Sequence, residues 1–180
     1  MKRELYQEIE IPEGVEVEIE GPTLKVKGPE GENQRKFRFR KLDFKKDGGK
    51  VIIGYKKASK KEKKLINSIA AHIKNMIEGV QKKFEYKLKI CSSHFPMNVE
   101  IKDGEITIKN FLGEKIPRKK KVPEGVEVEI DKDVITVKSV SKEKAGLTSA
   151  RFESMTKIRN KDRRIFQDGI FLTNKAGREI

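Results

Sequence analysis

The stretch PEGVEVEI stands at residues 12–19 and again at 123–130. Eight identical residues repeated in one chain raise the question of whether the fold is written twice, and in which register. Within each copy Pro and Gly turn the chain, and alternating Val with Glu then builds a strand with one wet face. At the spacing of 111 that superimposes them, the copies part company after Lys27 and Lys138, where one enters a PEGE loop and the other a helical pattern. That register aligns two hairpins and nothing larger. A spacing of 82 is weaker residue by residue but longer, and it needs no gap. It sets Val17, Glu18 and Ile19 on Val99, Glu100 and Ile101, and Gly31-Glu32 on Gly113-Glu114. Further on it sets Lys50 on Lys132, Ile53 on Ile135, Lys56 on Lys138, and Ser59-Lys60 on Ser141-Lys142. Turns fall on turns, and one helix start falls on the other.

The chain therefore reads as α+β, with two tandem copies of an antiparallel sheet covered on one face by a helix. The first copy is expected over residues 1–81 and the second over 82–180, which carries an extension, KIRNKDRRIFQDGIFLTNKAGREI, without a counterpart in the first. A chain of 180 residues holds one medium core or two small ones. Strands dominate the first fifty residues: VEVEI and LKVKG alternate around EGP, and RKFRFRKLDF follows with Phe37 and Phe39 on one face. The odd step to Leu42 and Phe44 predicts a bulge.

The first helix announces its start through Ser59 and Glu62, the spacing at which each side chain bonds the other's orphan N–H. Its inward stripe is Leu65, Ile66, Ile69, Ile73, Met76 and Ile77, with Lys60, Lys61, Lys63 and Lys64 in solvent and Gly79 as the stop. The second helix, roughly 142–158, has a weaker stripe of Leu147, Phe152, Met155 and Ile158 and lacks the capping box.

Lys and Arg number 42 against 28 Asp and Glu, a net charge of +14 with pI near 9.7, which points to a polyanionic partner. Charged residues make up 39% of the chain, a profile that also suits heat adaptation through surface ion pairs. A single cysteine, Cys91, forms no internal disulfide and fits a reducing cytoplasm. No run approaches the roughly 18 apolar residues of a membrane span, so no membrane partner is expected. His72 and His94 with one Cys fall short of a zinc site, and no nucleophile elbow, zincin helix or phosphate-binding loop is present. The alternating Glu residues read as a solvated face. Catalysis has no visible seat, so neither an enzyme nor a cofactor is expected.

Two clusters concentrate the positive charge. GEKIPRKKK holds Lys115, Arg118, Lys119, Lys120 and Lys121, and the extension adds Lys157, Arg159, Lys161, Arg163 and Arg164. Both lie in the second copy, after a hairpin and after the helix, and are expected to project as loops from the rim of the sheet without balancing acids nearby. Arg- and Lys-rich loops suit folded RNA, whose phosphates follow irregular paths. If about six of these charges each met a phosphate, affinity would fall roughly a thousandfold between about 50 and 200 mM salt. KKASKKEKK, by contrast, interleaves with a helix cap and reads as a solvated run.

The run NVEIKDGEITIKNFLGEKIPRKKK, then PEGVEVEI, then IRNKDRRIFQDGIFLTNKAG, resembles large-subunit ribosomal protein six in its archaeal and eukaryotic branch, over nearly the whole chain. Bacterial members end in a Pro-Glu-Pro-Tyr-Lys-Gly-type tail where this chain has Gln167-Asp168-Gly169-Ile170-Phe171, so bacterial contacts there do not carry over. The resemblance implies a duplicated two-domain protein of the cytoplasmic ribosome, anchored on large-subunit rRNA mainly by its second domain. It further implies a site near the sarcin-ricin loop and the stalk base, with neighbouring ribosomal proteins and translation factors close by. Carried to this chain, the contacts fall on 113–121 and 157–164. The rival reading is a stand-alone double-stranded RNA or DNA binding module, which would leave a free pool in lysate.

Overall fold

A computed structural model describes residues 3–37 and 42–180, and the chain divides into two compact units, 1–83 and 84–180. In the first unit, β1 (Arg3–Glu10) is followed by β2 (Glu16–Glu20), β3 (Thr23–Gly28), β4 (Gly31–Lys36), β5 (Asp43–Asp47), β6 (Lys50–Ala58) and α1 (Lys60–Gln81). These strands form two antiparallel sheets of order β1-β6-β5 and β2-β3-β4. Alternation decides their faces: Leu24 and Val26 of β3 and Val51 and Ile53 of β6 are fully buried, while Lys25 and Ile52 between them are partly exposed on the opposite face. Helix α1 lies on both sheets, burying Ile66, Ile69, Ile73, Met76 and Ile77.

The second unit runs β7 (Phe84–Cys91), β8 (Asn98–Lys102), β9 (Glu105–Lys109), a 3-10 turn at Phe111–Gly113, β10 (Arg118–Lys121), β11 (Glu127–Asp131), β12 (Val134–Ser139), α2 (Lys142–Met155), β13 (Gly169–Lys175) and β14 (Arg178–Glu179). Its sheets have the orders β10-β9-β8 and β11-β12-β7-β13-β14. The plan of the first unit recurs element by element, from β1 on β7 to α1 on α2, and β13 with β14 is added at the far edge of β7. The duplication is thus present in the spacing of 82, as the sequence indicates. The two PEGVEVEI copies feed β2 and β11, which occupy different places in the plan.

The ungapped register needs one correction. The first hairpin closes Glu20 on Thr23 and Lys102 on Glu105, and the helices start after Ser59 and Ser141, all 82 apart. The second hairpin closes Asp47 on Lys50 but Asp131 on Val134, 84 apart. The second copy is longer by two residues before that turn and shorter by two after it, where β6 runs nine residues and carries a register shift against β1 while β12 runs six.

Helix α1 begins as expected, with the reciprocal Ser59–Glu62 capping box in place. Gly79 does not stop it. One more apolar position, Val80, is buried just past it, so the helix continues to Gln81. Val80 reaches its seat because Gly28 has no side chain: a Cβ there would lie 2.8 Å from Val80 Cγ2 and from its carbonyl oxygen. Glu30 N–H then donates to that same carbonyl at 3.0 Å. Leu65 turns outward instead, 39% exposed. In α2, Phe152 and Met155 are buried but Leu147 is 50% exposed, and Ala145, Thr148 and Ser149 complete the inner face. The predicted step after Phe37 cannot be followed, since Phe39 lies outside the described residues, although Phe37 and Leu42 on either side are buried.

Candidate nucleic-acid interface

By the spacing of 82, residues 75–81, the last two turns of α1, correspond to 157–163. The helix in the second unit ends at Met155, and the segment 157–168 leaves it as irregular chain. The sequence explains the difference. Where α1 buries Met76, Ile77 and Val80, the second copy has Ile158, Arg159 and Asp162, so another turn of helix would bury charge. Thr156 closes α2 by sending its Oγ1 back to the Phe152 and Glu153 carbonyls and accepting the Ile170 N–H at 2.9 Å. The basic segment is therefore partly the unwound end of the repeat's own helix, which corrects the expectation of an extension without counterpart.

That segment is held at its far end by one buried acid. Asp168, 3% exposed, accepts the N–H of His94 at 2.9 Å and that of Ser93, and faces His94 Nδ1 with its other oxygen at 2.5 Å. Burial pushes the Asp168 carboxyl up, but these donors outweigh it and hold it below the ordinary carboxylate range. His94 in turn stacks on Phe166, ring centroids 4.9 Å apart, and the Lys161 ammonium lies 4.6 Å from the Phe166 centroid. His94 and Asp168 are 74 residues apart in sequence, and no spacing rule could have joined them. His72 is half-buried and tilts against Phe37 at 6.4 Å, a packing role.

The first cluster departs from the expected loop. Arg118–Lys121 is strand β10, the edge of its sheet, paired with β9 from Arg118↔Ile108 to Lys121↔Glu105. Arg118 is a strut: its guanidinium lies 4.4 Å over the Phe111 ring, grips Glu114 with Nε at 2.7 Å from Oε2, and donates to the Met155 carbonyl at the end of α2. This fork holds the Glu114 carboxyl below its usual range. Arg151, which the charge clusters did not single out, donates from α2 to the Lys121 carbonyl and so adds a second arginine staple between helix and strand. The remaining lysines of β10 stay exposed, Lys119 facing Glu105 at 3.6 Å and Lys120 reaching Ser154 at 3.0 Å.

Balancing acids are therefore present after all. In the second cluster Asp162 accepts Arg164 through Nε and Nη2, at 3.1 and 2.8 Å, which lowers the Asp162 carboxyl. The exposed side chains of Lys115, Lys121, Lys157, Arg159 and Arg163 have no hydrogen-bond or ionic partner among the described residues. Among those residues, too, no helix is long and apolar enough to cross a membrane, and no group of three or more His, Cys, Asp or Glu side chains is placed to hold a metal.

A duplicated α+β scaffold whose second unit presents two runs of exposed cations, at 115–121 beside an edge strand and at 157–164 on an irregular segment, has the build of a polyanion-binding structural protein. The family described as Ribosomal protein L6 matches residues 11–83 and 95–169, one stretch in each unit. Curated relatives named large ribosomal subunit protein uL6 align along nearly their whole length. That of Methanothrix thermoacetophila is 42% identical over 97% of this chain and 99% of its own. Those of Methanobrevibacter smithii and Nanoarchaeum equitans are 44% and 45% identical, over 95% and 96% of this chain and 96% and 94% of theirs. The chain belongs to the ribosomal protein L6 family. It is a structural constituent of the large ribosomal subunit, of archaeal type, and its place is the cytoplasmic ribosome.

Proposed function

We propose that the second unit anchors this protein on large-subunit rRNA, through the 113–121 edge and the 157–164 segment, close to the sarcin-ricin loop, the stalk base and the region where translation factors dock. The observation that carries the reading is the set of exposed cations left unpaired in the second unit. Lys115, Lys121, Lys157, Arg159 and Arg163 keep their charge for a partner, with Lys119, Lys120, Lys161 and Arg164 beside them. Arg118 acts through these neighbours by fixing β10 to α2. Each phosphate met by one of the five unpaired cations adds roughly 0.9 to the slope of log affinity against log salt.

Arginine at 163 and 164 gives a planar fork that matches phosphate oxygens, which a lysine point charge does not. Arg163 has that fork open; Arg164 must exchange Asp162 for phosphate, at little cost for an exposed pair. Sucrose-gradient sedimentation of tagged protein tests the reading. Co-sedimentation with large subunits at low salt and release at high salt are expected. A free pool with tight binding to generic duplex would instead support a stand-alone nucleic-acid module. Dissociation of the Arg163→Lys, Arg164→Lys double variant from large-subunit rRNA is expected to be faster than wild type, and an unchanged rate would count against these two contacts.

A further inference from the structure

Behind the basic segment lies a groove of about 770 Å³, lined by α2, the 157–168 segment and the start of β13. We infer that it receives one unstacked nucleobase of the rRNA, a deepening of the binding mode proposed above and dependent on it. The lining sorts by chemistry. Ile170 and Thr156, both buried, form its floor, and Ile158 and Phe171 add apolar wall. Lys157 and Arg163 are its cations, exposed and unpaired. Glu153 is its exposed acid, one oxygen already accepting the Leu172 N–H at 3.2 Å.

This set rejects a phosphate inside the groove, because Glu153 would repel it, and suits a nucleotide that splits its groups. Its phosphate meets Lys157 and Arg163, and the amino edge of its base donates to Glu153. The stacking ring is Phe171. Phe166 is committed to His94 and Lys161, whereas Phe171 is 45% exposed and lies over Gly169, where a Cβ would stand 3.1 Å from its Cζ. An aromatic ring left that open, on the face of β13 where Thr173 and Lys175 are also exposed, has the geometry of a stacking platform.

The test measures affinity of the full chain for in vitro transcribed large-subunit rRNA. Phe171→Leu is expected to weaken binding roughly tenfold, within what base–aromatic stacking contributes, while Phe171→Trp holds it. Ala150→Trp, from the exposed face of α2, fills the groove and is expected to weaken binding to a similar degree. Should that variant unfold the unit, Phe171→Leu at its exposed position carries the test. The Lys157→Gln, Arg163→Gln double variant separates the two claims. If it weakens binding while Phe171→Leu matches wild type, the groove inference is overturned and the anchor stands. If all of these variants bind like wild type, the anchor reading has failed and the groove inference with it.

Discussion

The two units share one plan and end it differently. In the first, α1 runs 22 residues and the outer edge of β1 carries no strand among the described residues. In the second, α2 stops after 14 residues, the chain crosses back, and β13 pairs with β7 from Gly169↔Cys91 onward. What divides them is whether three positions late in the helix are apolar. Where Met76, Ile77 and Val80 can be buried the helix goes on; where the second copy keeps only Ile158 and substitutes Arg159 and Asp162, the same stretch becomes an exposed basic segment. A structural core and an exposed basic segment are alternative uses of one place in the repeat.

The largest effect that would break this comparison is loss of the added strand. Ile170, 1% exposed, packs in the core with Phe152 and Leu88. Ile170→Ala is expected to cost about 3 kcal/mol, seen as a lower denaturant midpoint with loss of amide protection in β7 and β13. If protection there is unchanged, β13 is a decoration and not part of the core. Next is Asp168, whose removal should free the segment from the Ser93–His94 loop. Asp168→Asn is expected to cost about 2 kcal/mol at neutral pH, since hydrogen bonds to a charged group are lost or weakened. Because the folded state holds the Asp168 carboxyl below its unfolded value, its stabilisation is present above the ordinary carboxylate range and is lost as pH falls through the folded value. Thermal unfolding of wild type should therefore decline on acidification more steeply than that of Asp168→Asn. Parallel curves would show that the carboxylate has no such role.

In the first unit the corresponding strain test is Gly28→Ala, which forces a methyl to within 2.8 Å of Val80. A loss of about 1–2 kcal/mol is expected from overpacking against backbone, read by chemical denaturation. The smallest effect sharpens the comparison most finely. Restoring the stripe with Arg159→Ile and Asp162→Val should add up to two turns of helical signal by circular dichroism. No gain would mean that β13 pairing, and not the broken stripe, sets where α2 ends.

Much of this architecture is legible in the sequence because it is local or periodic. The Ser59–Glu62 box, the alternating strands and the spacing of 82 all rest on neighbours or on a repeat. The run of α1 through Gly79 was not legible, since it depends on where Gly28 lets Val80 sit, and the spacing of the stripe does not mark Leu65 as its exposed margin. The basic clusters were found by counting charge, yet counting could not tell the strut Arg118 from the unpaired Lys115 and Lys121. That distinction comes from Phe111, Glu114 and the Met155 carbonyl converging on one guanidinium. The clamp between His94 and Asp168 joins distant residues and has no sequence signature.

Whether the unpaired cations of the second unit make the grip is tested most directly by comparing two charge-neutralised full-length variants on large-subunit rRNA across a salt series. One changes Lys115, Lys121, Lys157, Arg159 and Arg163 to Gln; the other changes the exposed Lys60, Lys61, Lys63 and Lys64 of α1 to Gln. The first is predicted to lose roughly a hundredfold or more in affinity, with a salt slope shallower by about four, and the second to bind nearly as wild type does. The reverse pattern would contradict the account.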